Sequence, residues 1–224
     1  RCFEDENITH VDGSIDPLRD AETVETELML ADLESLEKRV TPLTKKSRGN
    51  DKDAIQQLAL VERALELLQE GKPARMLDVS NEDAKAFKGL QLLTSKPILY
   101  VCNVEEDSAA TGNELTKKVA AMAADQGAET VVISARIEEE VAQLDDADEK
   151  AEFLETLGLE ETGLAQVIRA GYSLLGLITF FTAGPQEVRA WTITDGDKAP
   201  QAAGTIHGDF ERGFICAETI AYDD

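Results

Sequence analysis

The 224-residue chain holds only two histidines and three cysteines, and their placement excludes several chemistries. Cys2, Cys102 and Cys216 form no CxxC pair and have no histidine beside them, so neither a zinc site nor a disulfide framework is expected. A reducing cytoplasm is the compartment that fits. His10 and His207 stand far apart, and neither is expected to be catalytic or metal-binding. Ser134 has no His and Asp at nucleophile spacing, which sets serine hydrolase chemistry aside. Basic residues are also short: 22 Lys and Arg face 45 Asp and Glu, a formal net charge of −23. The mean surface field therefore repels polyanions and disfavours broad nucleic-acid or anionic-membrane binding; no specific DNA binding is expected, and any RNA contact must be local. No apolar run approaches the roughly 18 residues of a membrane span, and the opening "RCFEDENITH" lacks the regions of a signal peptide. The chain starts on Arg rather than Met, which suggests that a segment has been removed from its front.

What is present divides by periodicity. A short strand end and loop over residues 1–12 leads to Asp16-Pro17, a helix start in which Asp caps free amides and Pro occupies the first helical position at no cost. Two helical patterns follow. Met29, Leu33, Leu36 and Val40 form one seam, and Ala54, Leu58, Val61, Leu65 and Leu68 form the other. Between them, Pro42, Gly49 and Asn50 break the pattern and predict an antiparallel helical hairpin. Lys45, Lys46, Arg48 and Lys52 gather at its tip, against the sign of the whole chain, and read either as a solvated turn or as a docking tip for an acidic or RNA partner. Ser80 and Asp83, at capping-box spacing, restart a helix.

The character then changes. "KPILYVCNV" reads as a strand covered on both faces, "NELTKKVAAMAADQG" as a helix closed by Gly127, and "ETVVISA" as a second buried strand. That is a βαβ unit, with parallel strands and an α/β architecture. Residues 136–174 read as helices, and "LDDADEKAEF" as a solvated helix start rather than a metal cluster. From Leu177 a small β-rich part begins, with strands at "LITFFTA", "EVRAWTIT" and "RGFICAETIAY" and a short helix or loop between the last two.

Ligands of open parallel sheets sit beyond the carboxyl ends of the strands. Asn103 ends the first predicted strand and Ser134-Ala135 the second, so both face one rim. An Asn carboxamide carries a donor and an acceptor that match adenine N7 and N6, and amides of a Ser-Ala turn can meet a neighbouring base edge.

Asn103-Val104-Glu105-Glu106 with Ser134-Ala135 resembles the base-recognition pair of a P-loop GTPase domain, in the form N-x-x-E. Together with "RCFEDENITHVDGSIDPLRD", the hairpin, "LGLEETGLAQVIRAGY" and "FFTAGPQEVRAWTI…APQAAGTIHGDFERGFICAETIAYDD", that form is similar to the Obg-like ATPase (YchF) family nearly end to end. The resemblance implies a partial P-loop GTPase-type parallel sheet, an inserted α-helical coiled-coil hairpin and a C-terminal partial TGS domain of ubiquitin-like β-grasp form. The implied boundaries are 1–17 for the first GTPase-type piece, 18–94 for the insertion, 95–176 for the base-recognition half, and 177–224 for a truncated TGS domain.

It also implies an ATP hydrolase that prefers ATP over GTP, uses Mg²⁺ and associates with the ribosome or another RNA–protein assembly in the cytoplasm. Asn103 would hydrogen-bond adenine, Val104 would contact the base through backbone and side chain, and Glu106 would take the place where other GTPases carry Asp. Ser134 and Ala135 would complete the site. No G-x-x-x-x-G-K-S/T occurs; the only Gly-Lys, Gly71-Lys72, is followed by Pro. The amides, Lys and hydroxyl that hold phosphate and Mg²⁺ are thus not in this chain, which is expected to be inactive alone. The rival expectation is a non-catalytic module that docks a large partner through the hairpin tip and the β-grasp part.

Overall fold

Asp16 opens the first long helix as expected: its side chain accepts the Leu18 and Arg19 amides, and Pro17 is the first residue of α1 (Pro17–Ser47). In the computed structural model, which describes residues 1–5, 8–10 and 13–221, α1 runs for 31 residues straight through Pro42. The expected break at Pro42 is not made. Proline removes one amide, but Lys38, whose carbonyl loses that donor, and Pro42 itself are both exposed, on a face of the helix where solvent can take the donor's place. The reversal falls later, at residues 48–50, where Asn50 adopts a left-handed φ of 62°. Asp51 then caps Ala54 and starts α2 (Lys52–Gln69).

The two helices pack through Leu36, Leu60, Val61, Ala64 and Leu68, with Met29, Leu33, Val40 and Leu65 partly covered. Leu60 and Ala64 lie outside the seam read from the sequence. They are buried because the chain returns across α2: Ala74, the short helix α3 (Ala84–Leu90) and Leu92 join the same cluster. A helix covered from two sides needs a wider apolar face than a two-helix seam.

One buried acid ties this layer together. Asp32, on α1, accepts the amides of Leu93 and Thr94 at 2.8 Å and the Thr94 hydroxyl at 2.7 Å; that hydroxyl in turn accepts the Ala74 amide at 3.0 Å. Three donors satisfy a carboxylate that burial would otherwise penalise.

The βαβ unit is present with the expected direction. Strand β1 (Leu99–Asn103) pairs in parallel with β2 (Glu129–Ile133), in a register that sets Asn103 opposite Ile133. Between them runs α4 (Glu114–Asp125), started by a reciprocal Asn113–Thr116 capping box and stopped by Gly127 at φ 66°. Coverage on both faces of β1 does not hold. Val101 is 43% exposed, because among the described residues the two strands form a two-stranded sheet whose core lies on the Cys102 and Val104 side.

A polar joint links α1 to this unit. Arg75 Nη2 lies 2.6 Å from Glu25 Oε1 and donates to Gln126 Oε1 at 3.2 Å, and the Tyr100 hydroxyl lies 3.2 Å from the same Gln126 oxygen. Burial first, and then the Glu25 carboxylate, push the Tyr100 phenol above its ordinary value.

After β2 come α5 (Ala135–Gln143), α6 (Ala147–Thr156) and α7 (Gly163–Leu174). Gly163 packs so closely on β2 that a Cβ would sit 2.7 Å from Ile133 Cγ2, and its amide donates to Glu138 at 2.6 Å. The chain divides into two compact units at this glycine, Arg1–Gly163 and Leu164–Asp224.

In the second unit β3 (Leu177–Ala183) pairs antiparallel with β4 (Val188–Thr194), followed by α8 (Ala199–Ile206) and α9 (Gly208–Arg212). The third strand expected at "RGFICAETIAY" is not formed. Residues 214–221 have no regular structure, and Ile215 is 91% exposed. A β-rich composition makes a strand only where a neighbouring ladder takes up its amides, and no such ladder reaches this segment among the described residues. The end of that segment, 222–224, and parts of the opening loop, 6–7 and 11–12, lie outside the described residues.

Candidate purine-base site

The ends of β1 and β2 form one rim because parallel pairing in register brings Asn103 beside Ile133 and hence beside the turn that follows it. Asn103 Oδ1 accepts the Ala135 amide at 2.9 Å. Ala135 is the first residue of α5, so its amide is one of the free donors of a helix start. Ser134 occupies the N-cap position but its side chain makes no capping bond. The cap comes instead from Asn103, across the rim. An Asn carboxamide bonded through its oxygen keeps both N–H donors for another acceptor.

A cavity of about 440 Å³ opens at this rim, within the size range of small-molecule sites. Asn103, Val104, Glu105, Glu106, Ser134 and Ala135 all line it, so all five expected base-site residues border one cavity. Their contributions differ. Val104 is buried in the core cluster and its amide donates to the Ile133 carbonyl at 2.9 Å. That amide is therefore already engaged, and what Val104 presents to the cavity it lines is the remainder of its backbone and the small exposed part of its side chain. The Ser134 hydroxyl oxygen is buried with no hydrogen-bond partner among the described residues. Glu106 points its carboxylate at Arg136, with Oε1 2.6 Å from Nε.

Two contributors escaped the sequence reading. Arg136 is the one cation among the described lining residues, against five carboxylates. The opening segment supplies Phe3, Glu4, Asp5 and Ile8 to the lining. It is held there because the Cys2 amide donates to the Asn103 carbonyl at 2.8 Å, Asn113 Nδ2 donates to the Cys2 carbonyl at 2.6 Å, and the Arg1 guanidinium donates to the Phe3 and Ile8 carbonyls. The available signal was the apolar Phe3 and Ile8 flanking an acidic run beside Cys2. Behind the rim, the hydrogen bond between the Cys2 and Cys102 thiols brings Cys2 down to about 7, against the upward push of burial. The same bond and burial raise Cys102.

Lys45, Lys46, Arg48 and Lys52 are all exposed at the end of the hairpin, within the same unit but on a separate surface from the cavity. Lys45 and Lys46 also close the last turn of α1, where positive charge complements the helix dipole; Lys52, in the first turn of α2, has no such support. Among the described residues no group of three or more His, Cys, Asp or Glu side chains is arranged to hold a metal ion. Among the described residues, no helix is long and apolar enough to cross a membrane.

Comparison with known proteins bears on this arrangement. A family model described as "YchF-GTPase_C: Protein of unknown function (DUF933)" matches residues 177–224. The "Ribosome-binding ATPase YchF" of Bacillus subtilis (strain 168) is 53% identical over 226 residues, covering 100% of this chain and 62% of that protein. The "Obg-like ATPase 1" of Oryza sativa subsp. indica is 40% identical over 227 residues, covering 100% of this chain and 57% of that protein. The solved Schizosaccharomyces pombe YchF GTPase superposes with a TM-score of 0.82 at 35% identity, over 96% of this chain and 58% of that one. The chain thus spans about three fifths of the length of the relatives it matches.

Proposed function

The chain belongs to the Obg-like ATPase (YchF) family, and on that footing we propose that it carries the base-recognition half of a nucleotide site in a ribosome-associated, cytoplasmic ATPase that prefers ATP over GTP. The observation that carries this reading is the Asn103–Ala135 bond, which joins the two strand ends around the cavity and leaves the carboxamide donors for a purine acceptor such as N7. Glu106, an acceptor-only carboxylate lining the same cavity, suits the exocyclic amine of adenine and disfavours the carbonyl that guanine carries there. A good bidentate base contact is worth about 1–3 kcal/mol of discrimination. Hydrolysis belongs to the whole protein, since the motif that would hold the triphosphate and Mg²⁺ is not in this sequence. Residues 1–17 and 95–176 are read as the GTPase-type part, 18–94 as its coiled-coil insertion and 177–224 as a TGS module.

The test separates cap from contact. Asn103→Asp keeps an oxygen for the Ala135 amide but loses both donors, whereas Asn103→Ala loses both functions. In the full-length protein, Asn103→Asp is expected to hold its melting temperature and to weaken ATP binding about ten-fold, the scale of one neutral hydrogen bond together with the carboxylate placed against a purine acceptor. Equal ATP and GTP affinity in the wild type would sink the base-reading claim.

A second reading rests on the exposed cations of the hairpin tip. There the chain acts as a docking module for an RNA–protein partner, independently of nucleotide. Charge reversal of Lys45, Lys46 and Arg48 is expected to abolish ribosome co-sedimentation and leave nucleotide affinity intact. Undiminished co-sedimentation counts against it.

A further inference from the structure

Arg136 stands one residue past the Ser134-Ala135 turn, in the first turn of α5. The helix dipole opposes a cation in that position. Packing does not hold the side chain either, since it is 75% exposed. What it meets is charge. Glu106 Oε1 lies 2.6 Å from its Nε, and Glu140, one turn further along α5, lies 4.0 Å away.

The consequence falls on Glu106. This residue sits in a single turn of 3₁₀ helix at 106–108, directly after the strand-end loop, and its side chain is 40% exposed. A Glu carboxylate on a rim of that exposure has several rotamers open to it, so its place at the cavity wall is not set by packing. A pair through one oxygen removes that freedom and leaves the second oxygen as an acceptor. Adenine presents an amine at the edge where guanine presents a carbonyl. A carboxylate fixed there attracts the first and repels the second; a wandering one distinguishes them less.

We infer that Arg136 is a positioning residue for base choice: by fixing the Glu106 carboxylate at the rim, it sets how strongly the site prefers adenine over guanine nucleotides. The inference rests on the reading of Asn103 and Glu106 as base contacts. Arg136 itself touches Glu106 rather than the base.

The experiment measures ATP and GTP dissociation constants of the full-length protein by displacement of a fluorescent nucleotide, for the wild type, Arg136→Ala, Arg136→Lys, Glu106→Ala and the double variant Glu106→Ala/Arg136→Ala. Arg136→Ala is expected to narrow the ATP-over-GTP ratio about three- to five-fold, the scale of one exposed ion pair. Arg136→Lys restores at least half of the lost ratio, and Arg136→Ala changes nothing further once Glu106 is Ala. The wild-type preference also shrinks as salt rises, because an exposed pair is screened. An unchanged or wider ratio in Arg136→Ala, or the same narrowing in the Glu106→Ala background, overturns the inference. Asn103→Asp in the same titrations tells the two levels apart. If it leaves both nucleotides bound as before, the base site itself falls; if it weakens binding while Arg136→Ala leaves the ratio alone, only the role of Arg136 falls.

Discussion

Two ion pairs in the first compact unit close at the same distance and live in different solvents. Arg75–Glu25 and Arg136–Glu106 both meet at 2.6 Å, but the side chains of the first are 12% and 14% exposed and those of the second 75% and 40%. Around Arg75 and Glu25, Gln126 and Tyr100 add further polar contacts, so the joint is a network shielded from water. Among the described residues the rim pair adds only Glu140, 4.0 Å from Arg136 and itself 48% exposed. Distance alone therefore says little about what an ion pair contributes: the first is costly to break because a lone buried charge remains, whereas water replaces either member of the second. The buried pair, through its contacts with Gln126 and Tyr100, ties the helical arm to the βαβ unit, and the exposed pair joins the two sides of the rim at Glu106 and Arg136.

The contrast can be broken most directly at Arg75. Arg75→Met strands the Glu25 carboxylate and is expected to destabilise the protein by about 3–5 kcal/mol in urea unfolding, with much of that recovered when Glu25→Leu is added. A loss below about 1 kcal/mol would make the two pairs equivalent. Asp32→Ala should follow, at about 3 kcal/mol, because the Leu93 and Thr94 amides and the Thr94 hydroxyl lose one shared acceptor. Tyr100 sharpens the comparison through pH. Its phenol is raised in the fold, so the stability it contributes is complete below its unfolded value near 10 and is lost as pH rises through the folded value. Tyr100→Phe should flatten the alkaline limb of a melting-temperature profile relative to the wild type; identical limbs would remove Tyr100 from the joint's electrostatics. The smallest effect belongs to the rim. Arg136→Ala should change stability by no more than about 0.5 kcal/mol, while altering base preference.

The parts of this molecule that sequence made legible are those governed by short-range rules. The Asp16-Pro17 start, the capping at Asn113, the Gly127 stop and the parallel strands follow from local chemistry and from the βαβ rule, and with them the meeting of Asn103 and Ala135 at one rim. What stayed hidden depends on contacts distant along the chain. Asp32 meets residues 61 and 62 positions away, and Arg75 meets Glu25 50 positions away. An acid inside a helical seam reads as surface until its donors are seen. Arg136 was passed over because one cation in an acidic helix looks solvated, and Phe3 and Ile8 because two apolar residues flanking an acidic run do not say which strand end they meet. Pro42 misled for the opposite reason, since a local rule that usually ends helices gives way where the proline and the residue four before it both sit on the exposed face. Residues 214–221 show the limit of composition, which names strand formers but not their partners.

The length of α1 turns the polar joint into a matter of leverage. From Glu25 to Arg48 is 23 residues of almost unbroken helix, about 35 Å at 1.5 Å per residue. Each degree by which the helix pivots at the joint therefore carries the cationic tip through about 0.6 Å, and a five-degree pivot through about 3 Å, the length of a hydrogen bond. The angular precision of four side chains at the root is thus the positional precision of Lys45, Lys46 and Arg48 at the far end.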